Sequence, residues 1–182
     1  MKNKKIIWTT VLGTVICILF AILFFGMKFT DITQPPVYFL ILGLAGSLSL
    51  ALLREQKLRD VIYSNLFIYF LFAIVLAQLK AITALILLIY YTSMVLAIYI
   101  YVKNFDQKLA QISFARTLVL AATMGVFYIA ANFIHSLLFI DHFSIKFLLR
   151  NFPLGFLLGL GYGLAGEISE KYLVDFEKIF SR

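Results

Sequence analysis

Charge is scarce in these 182 residues: 14% are Asp, Glu, Lys or Arg and 63% are hydrophobic, with a mean hydropathy of +0.98. A soluble domain carries roughly a quarter charged residues, so water is excluded as the main solvent. Cysteine is nearly absent. The single Cys17 excludes a disulfide framework and a cysteine metal site, and its place within an apolar run assigns it to packing. Only two histidines occur, His135 and His142, and they do not form a pair at metal-ligand spacing. No intramembrane carboxylate pair for acid–base work and no glycine-flanked nucleophilic serine is present. Ser136 follows His135 directly, and neighbouring helical residues point about 100° apart, so the two do not make a dyad. These absences describe a non-enzymatic chain with no cofactor and no metal.

Long apolar runs take up most of the sequence. Spans are expected at 6–26, 36–53, 61–79, 81–102, 117–140 and 147–167, each sufficient to cross about 30 Å of hydrocarbon as helix. The runs are continuous and lack the two-residue alternation of a membrane barrel, and lipid leaves helices as the remaining way to satisfy the backbone. The expected fold is all-α: a polytopic membrane protein with six transmembrane helices in one bundle over residues 1–167. A short amphipathic helix in a cytoplasmic tail, residues 168–182, should follow. The first span has the basic flank of a signal peptide, but its apolar stretch is too long and no small-residue cleavage site follows, so it reads as an uncleaved anchor. Pro35 and Pro36 start the second span.

Orientation comes from the sixteen basic residues. Twelve fall on one side: Lys2, Lys4, Lys5, Arg54, Lys57, Arg59, Lys103, Lys108, Arg116, Lys171, Lys178 and Arg182. Four fall on the other: Lys28, Lys80, Lys146 and Arg150. The richer side should be cytoplasmic, which places both termini there and the protein in the cytoplasmic (inner) membrane of a bacterium. The formal net charge of +7 is spread over short clusters, which favours membrane orientation over nucleic-acid binding.

Two segments outside the spans show helical apolar spacing: Phe105, Leu109 and Ile112, then Ile168, Tyr172, Phe176, Ile179 and Phe180. Both suit interfacial helices. The tail mixes Glu167, Glu170, Asp175 and Glu177 with Lys171, Lys178 and Arg182, so protein partners through the cytoplasmic loops and tail, or docking of the tail on its own bundle, fit it better than a polybasic lipid contact.

Within the spans, Gly155, Gly159 and Gly163 recur every four residues, which marks a helix-packing face. Thr10, Gly13, Thr14, Cys17 and Ala21 form a smaller stripe of this kind, and Gly43 with Ser47 and Ala121 with Gly125 add others. The most suggestive polar set is Tyr128, Asn132, His135 and Ser136, which share one helical face in the outer half of the membrane. Arg150 and Asn151 begin the returning helix. Polar groups at that depth are costly unless they face a bundle interior or a cavity. One reading is therefore an outward-facing ligand site of Tyr128, Asn132, His135, Arg150 and Asn151. The other is interhelical hydrogen bonding, with Arg150 extended to the headgroups. Tyr90, Tyr91, Thr92 and Ser93 interrupt the fourth span in the same way.

In length, span number and cytoplasmic ends the chain resembles the small substrate-binding subunits of energy-coupling-factor vitamin importers. It also resembles the small cell-shape membrane protein of the bacterial elongation machinery. Both likenesses are architectural and imply no functional residues. The polar outer face of the last two spans, with no ATP-binding motif in the chain, gives the first expectation: a subunit that binds a small ligand from the outer side and works with partner proteins in transport. The glycine stripes and the two amphipathic cytoplasmic segments give the alternative: a structural or assembly subunit of a membrane complex, for example cell-envelope machinery, with no ligand.

Overall fold

A computed structural model describes residues 2–25, 35–75, 81–139 and 152–180, with Ile145 and Leu149 between the last two stretches. Arg150 and Asn151, two members of the expected ligand set, lie outside the described residues, as do Lys28, Lys80 and Lys146.

Six α-helices and no strands occur among the described residues. They are α1 (Lys2–Phe25), α2 (Pro35–Arg54), α3 (Leu58–Val75), α4 (Ala81–Tyr101), α5 (Ser113–Phe139) and α6 (Phe152–Phe180), with a single π-turn, Val102–Asp106, closing α4. Four stretches are long and apolar enough to cross a membrane: Asn3–Phe24, Leu85–Asp106, Phe114–Phe139 and Phe152–Tyr172. A shorter apolar helix, Leu40–Arg54, accompanies them. Their outward faces carry large apolar side chains such as Val11, Leu23, Val126 and Leu137, as suits helices surrounded by lipid.

Small residues decide which helices touch most closely. α6 lies along α5 and α1, and α1 along α2. A Cβ added at Gly159 would sit 2.6 Å from the Cα of Ala121, so bare hydrogen at that position is what lets the two backbones meet. Gly155 faces Met124 and Tyr128 of α5 in the same way, and Gly163 faces Thr117. On the other side of α6, Gly161 abuts Cys17, whose buried thiol lies 3.8 Å from the Leu158 carbonyl. Gly46 of α2 leaves room for the ring of Tyr162, whose hydroxyl donates to the Leu42 carbonyl at 2.7 Å. The centre is filled by Leu50, Met94, Ile98, Leu120, Met124 and Leu158, all fully enclosed.

α3 is the outlying member. It packs against α2, and it is tied to α4 by the Tyr91 hydroxyl, which donates to Asn65 Oδ1 at 2.7 Å. The α2–α3 corner is a Schellman turn: Lys57 N–H donates to the Leu52 carbonyl at 3.0 Å and Gln56 N–H to the Leu53 carbonyl at 2.9 Å. Gln56 adopts φ 59°, a left-handed conformation ordinarily left to glycine.

Two segments differ from the expected interfacial helices. α6 runs without a break from Phe152 to Phe180, so residues 168–180 extend the last helix instead of forming a separate one. After the π-turn, residues 107–111 are turns, so Phe105, Leu109 and Ile112 do not share one amphipathic helix. The cause is Asp106, whose buried carboxylate is held inside the bundle end and draws the chain inward where helical spacing would have carried it along the surface.

Candidate functional site

Among the described residues, three polar assemblies lie within the bundle. The first contains the expected ligand residues that fall inside the described part of the chain. Residues four and seven apart share a helix face, so α5 presents Tyr128, Asn132 and His135 together toward α4. Tyr90 of α4 is set among them. Its hydroxyl donates to Asn132 Oδ1 at 2.7 Å and lies 3.4 Å from His135 Nδ1. Its ring stands 5.6 Å from that of Tyr128 and 6.1 Å from that of His135. His135 in turn stacks edgewise on Phe139 at 5.9 Å. Tyr128 and Asn132 are both 0% exposed, whereas His135 is half-buried. Ser136 turns back to the Asn132 carbonyl at 2.8 Å. Tyr90 and Asn132 thus join α4 to α5 by a hydrogen bond, with the Tyr90 ring tilted against Tyr128 and edge-on to His135, while the buried Tyr128 hydroxyl has no hydrogen-bond partner among the described residues.

The second assembly was foreshadowed only by Tyr91. Consecutive helical residues diverge by about 100°, so Tyr90 serves α5 while Tyr91 serves α3. Asn65 accepts from Tyr91 and donates through Nδ2 to Ser49 Oγ of α2 and to the Val61 carbonyl, each at 2.8 Å. One amide thereby links α2, α3 and α4. A lone asparagine within the apolar run 61–79 was the available signal, because an amide in lipid must find a partner. Beside this link, an apolar cavity of about 360 Å³ opens between α3 and α4.

The third assembly lies at the end of the bundle where the N-termini of α1 and α5 meet the C-termini of α2 and α4. Asp106 is its centre. Arg54 donates to both carboxylate oxygens, Nη2 to Oδ1 at 2.7 Å and Nε to Oδ2 at 3.1 Å, in the planar fork that guanidinium makes with carboxylate. Arg116 reaches Oδ1 through Nη2 at 3.0 Å and Nε at 3.2 Å, and the Tyr101 hydroxyl donates to the same oxygen at 2.9 Å. Glu170 of α6 accepts from Arg116 Nη1 at 2.8 Å and from Arg54 Nη1 and Lys5 Nζ at 3.4 Å each. Glu167 lies 3.9 Å from Arg116 Nε. Three cations thus face three carboxylates. The side chains of Arg54 and Arg116 are only 8% exposed, and that of Asp106 9%. Gly166 leaves room for this arrangement, since a Cβ there would meet the Arg54 guanidinium and displace it. Sequence reasoning used Lys5, Arg54 and Arg116 only to orient the chain. The overlooked signal was Asp106, a carboxylate on that same side; Glu167 and Glu170 were read only as charges of the tail.

No group of three or more His, Cys, Asp or Glu side chains that could hold a metal occurs among the described residues. The charged assembly neutralises itself, and the two polar assemblies are neutral. What all three have in common chemically is that they join helices. Comparison with family models, curated proteins and solved structures finds no match to this chain.

Proposed function

We propose that the chain is a non-enzymatic integral membrane subunit of structural or assembly type. In this reading it crosses a bacterial cytoplasmic membrane six times with both termini in the cytoplasm, and it meets protein partners through its cytoplasmic loops and the end of α6. The observation that carries the reading is the closure of Tyr90, Asn132 and Tyr128 on one another, with Asn132 and Tyr128 fully enclosed. Residues that bind a solute in transport must open to it. The orientation is supported by the basic residues of the charged end, to which the positive-inside rule assigns the cytoplasm.

Transport with a small ligand taken from the outer side is the second reading. It is favoured by His135, half-buried near the C-terminal end of α5. Asn132→Ala and His135→Ala, combined with a thermal-shift screen of small polar metabolites on the purified protein, separate the two. The structural reading expects Asn132→Ala to lower intrinsic stability and no metabolite to stabilise the parent. A metabolite that stabilises the parent by mass action, and whose effect is lost in the variants without loss of intrinsic stability, would establish the ligand site instead. Reporter fusions after residue 57, between α4 and α5 and at the C-terminus should report cytoplasm, and one near Lys28 the exterior. An exterior C-terminus would overturn the six-span topology.

A further inference from the structure

The cavity between α3 and α4 has no part in the proposed structural role, and its chemistry is specific. Its walls are Leu58, Ile62 and Leu66 from α3 and Leu88, Val95 and Tyr99 from α4, among others. The polar atoms at its back are occupied: Tyr91 and Asn65 bond each other, and the Thr92 hydroxyl donates to the Leu88 carbonyl at 2.7 Å. A polar solute would find no partner there, whereas a hydrocarbon chain would lose nothing. The lining of α4 runs from Leu88 to Tyr99, about 16 Å at the helical rise, which is half of the roughly 30 Å hydrocarbon core and so the depth of one leaflet.

The end of the groove nearest the charged assembly is where a headgroup would sit. Leu58 is flanked there by Lys57 and Arg59, and Lys103 Nζ stands 5.8 Å over the ring of Tyr99. Arg59 lies over Tyr63 at 5.3 Å. Glu55 and Asp60 belong to the same corner, which leaves one positive charge in balance, and the positive end of the α3 helix dipole adds to it. We propose that this groove is a binding site for an anionic phospholipid of the leaflet on the basic side, one acyl chain lying between α3 and α4 and its phosphate meeting Lys57, Arg59 and Lys103. The lipid would fill the space left where α3 stands apart from α4 and so complete the bundle.

The test uses the full chain in an uncharged detergent. A tryptophan replaces Leu66 at the groove rim in a Trp8→Phe background, with a second protein carrying it at Val126 on the outward face of α5 as control. Phosphatidylglycerol with brominated chains, at low lipid-to-protein ratio, should quench the residue 66 reporter well beyond the residue 126 reporter. In the unlabelled protein, phosphatidylglycerol at about a hundredfold excess over its Kd should raise the melting temperature by about 5 °C or more. Phosphatidylcholine of the same chains should do less, and glycerol phosphate nothing. Val95→Phe, which fills the groove, should abolish the quenching difference. Lys57→Gln/Arg59→Gln/Lys103→Gln changes two exposed side chains and one half-buried one, all outside the core. It should reduce the phosphatidylglycerol shift to that of phosphatidylcholine. Equal quenching at residues 66 and 126 would overturn the proposal. So would an undiminished lipid preference in the triple variant, or cross-linking between copies through residue 66 with no response to lipid.

Discussion

Replacing Asp106 by Asn changes one atom and the charge at the centre of the buried ion network, so its effect can be reasoned closely. The carboxylate receives five hydrogen bonds, four from Arg54 and Arg116 and one from Tyr101. An amide offers a single oxygen. With that oxygen at the Oδ1 position its NH2 confronts Arg54 Nε, donor against donor, and the reverse rotamer loses the other four bonds. The three cations and three carboxylates of the cluster would then carry one uncompensated positive charge. Removing one partner of a buried ion pair costs about 3–5 kcal/mol, chiefly because the survivor stays buried and unpaired. For a chain of this length that is a fall in melting temperature of about 6–20 °C. Circular dichroism melting of the purified protein in detergent measures it. Arg116→Gln in the same chain restores charge balance, so the double variant should lose less than the sum of the singles. Glu170→Gln, at a partly exposed carboxylate, should cost about 1 kcal/mol, and Lys5→Gln, more exposed still, less. A loss below about 1 kcal/mol for Asp106→Asn, or strict additivity with Arg116→Gln, would refute the network's role in closing the bundle.

Gly159→Leu forces a side chain into the α5 backbone and should destabilise by about 1–3 kcal/mol or prevent folding, whereas Leu157→Ala, at a half-buried position, should cost less; equal melting temperatures would show that α5 and α6 do not meet through this face. Gln56→Gly should stabilise by up to about 1 kcal/mol in the same melting assay, because glycine adopts the left-handed turn without steric cost. Tyr91→Phe leaves Asn65 Oδ1 without its donor and should cost about 1 kcal/mol, with hydrogen exchange in α3 rising more than in α5; uniform exchange would argue against Tyr91 as the tie between α3 and α4.

Helical content and four stretches long and apolar enough to cross a membrane were legible in the sequence, because both follow from what lipid does to an unpaired backbone group and need only local composition. The helix ends that border described residues, Arg54, Leu58, Tyr101 and Ser113, lie within a few residues of the expected ones, whereas α6 continues through 167. The asparagine and tyrosine interruptions could be recognised as needing partners, but not matched to them. Tyr90 and Tyr91 are adjacent in sequence and serve different helices, a division set by how α3, α4 and α5 are rotated about their axes.

What the sequence by itself determined is the solvent: long apolar runs, scarce charge and one enclosed cysteine demand helices in lipid, whatever their arrangement. Only the tertiary structure decided where the few charges go. Arg54, Asp106, Arg116 and Glu170 stand up to 116 residues apart, each at or near an apolar stretch's end, where a charge ordinarily meets water. Folding gathers those ends at one pole of the bundle, and there desolvation forces each charge to take the opposite charges beside it as its solvent.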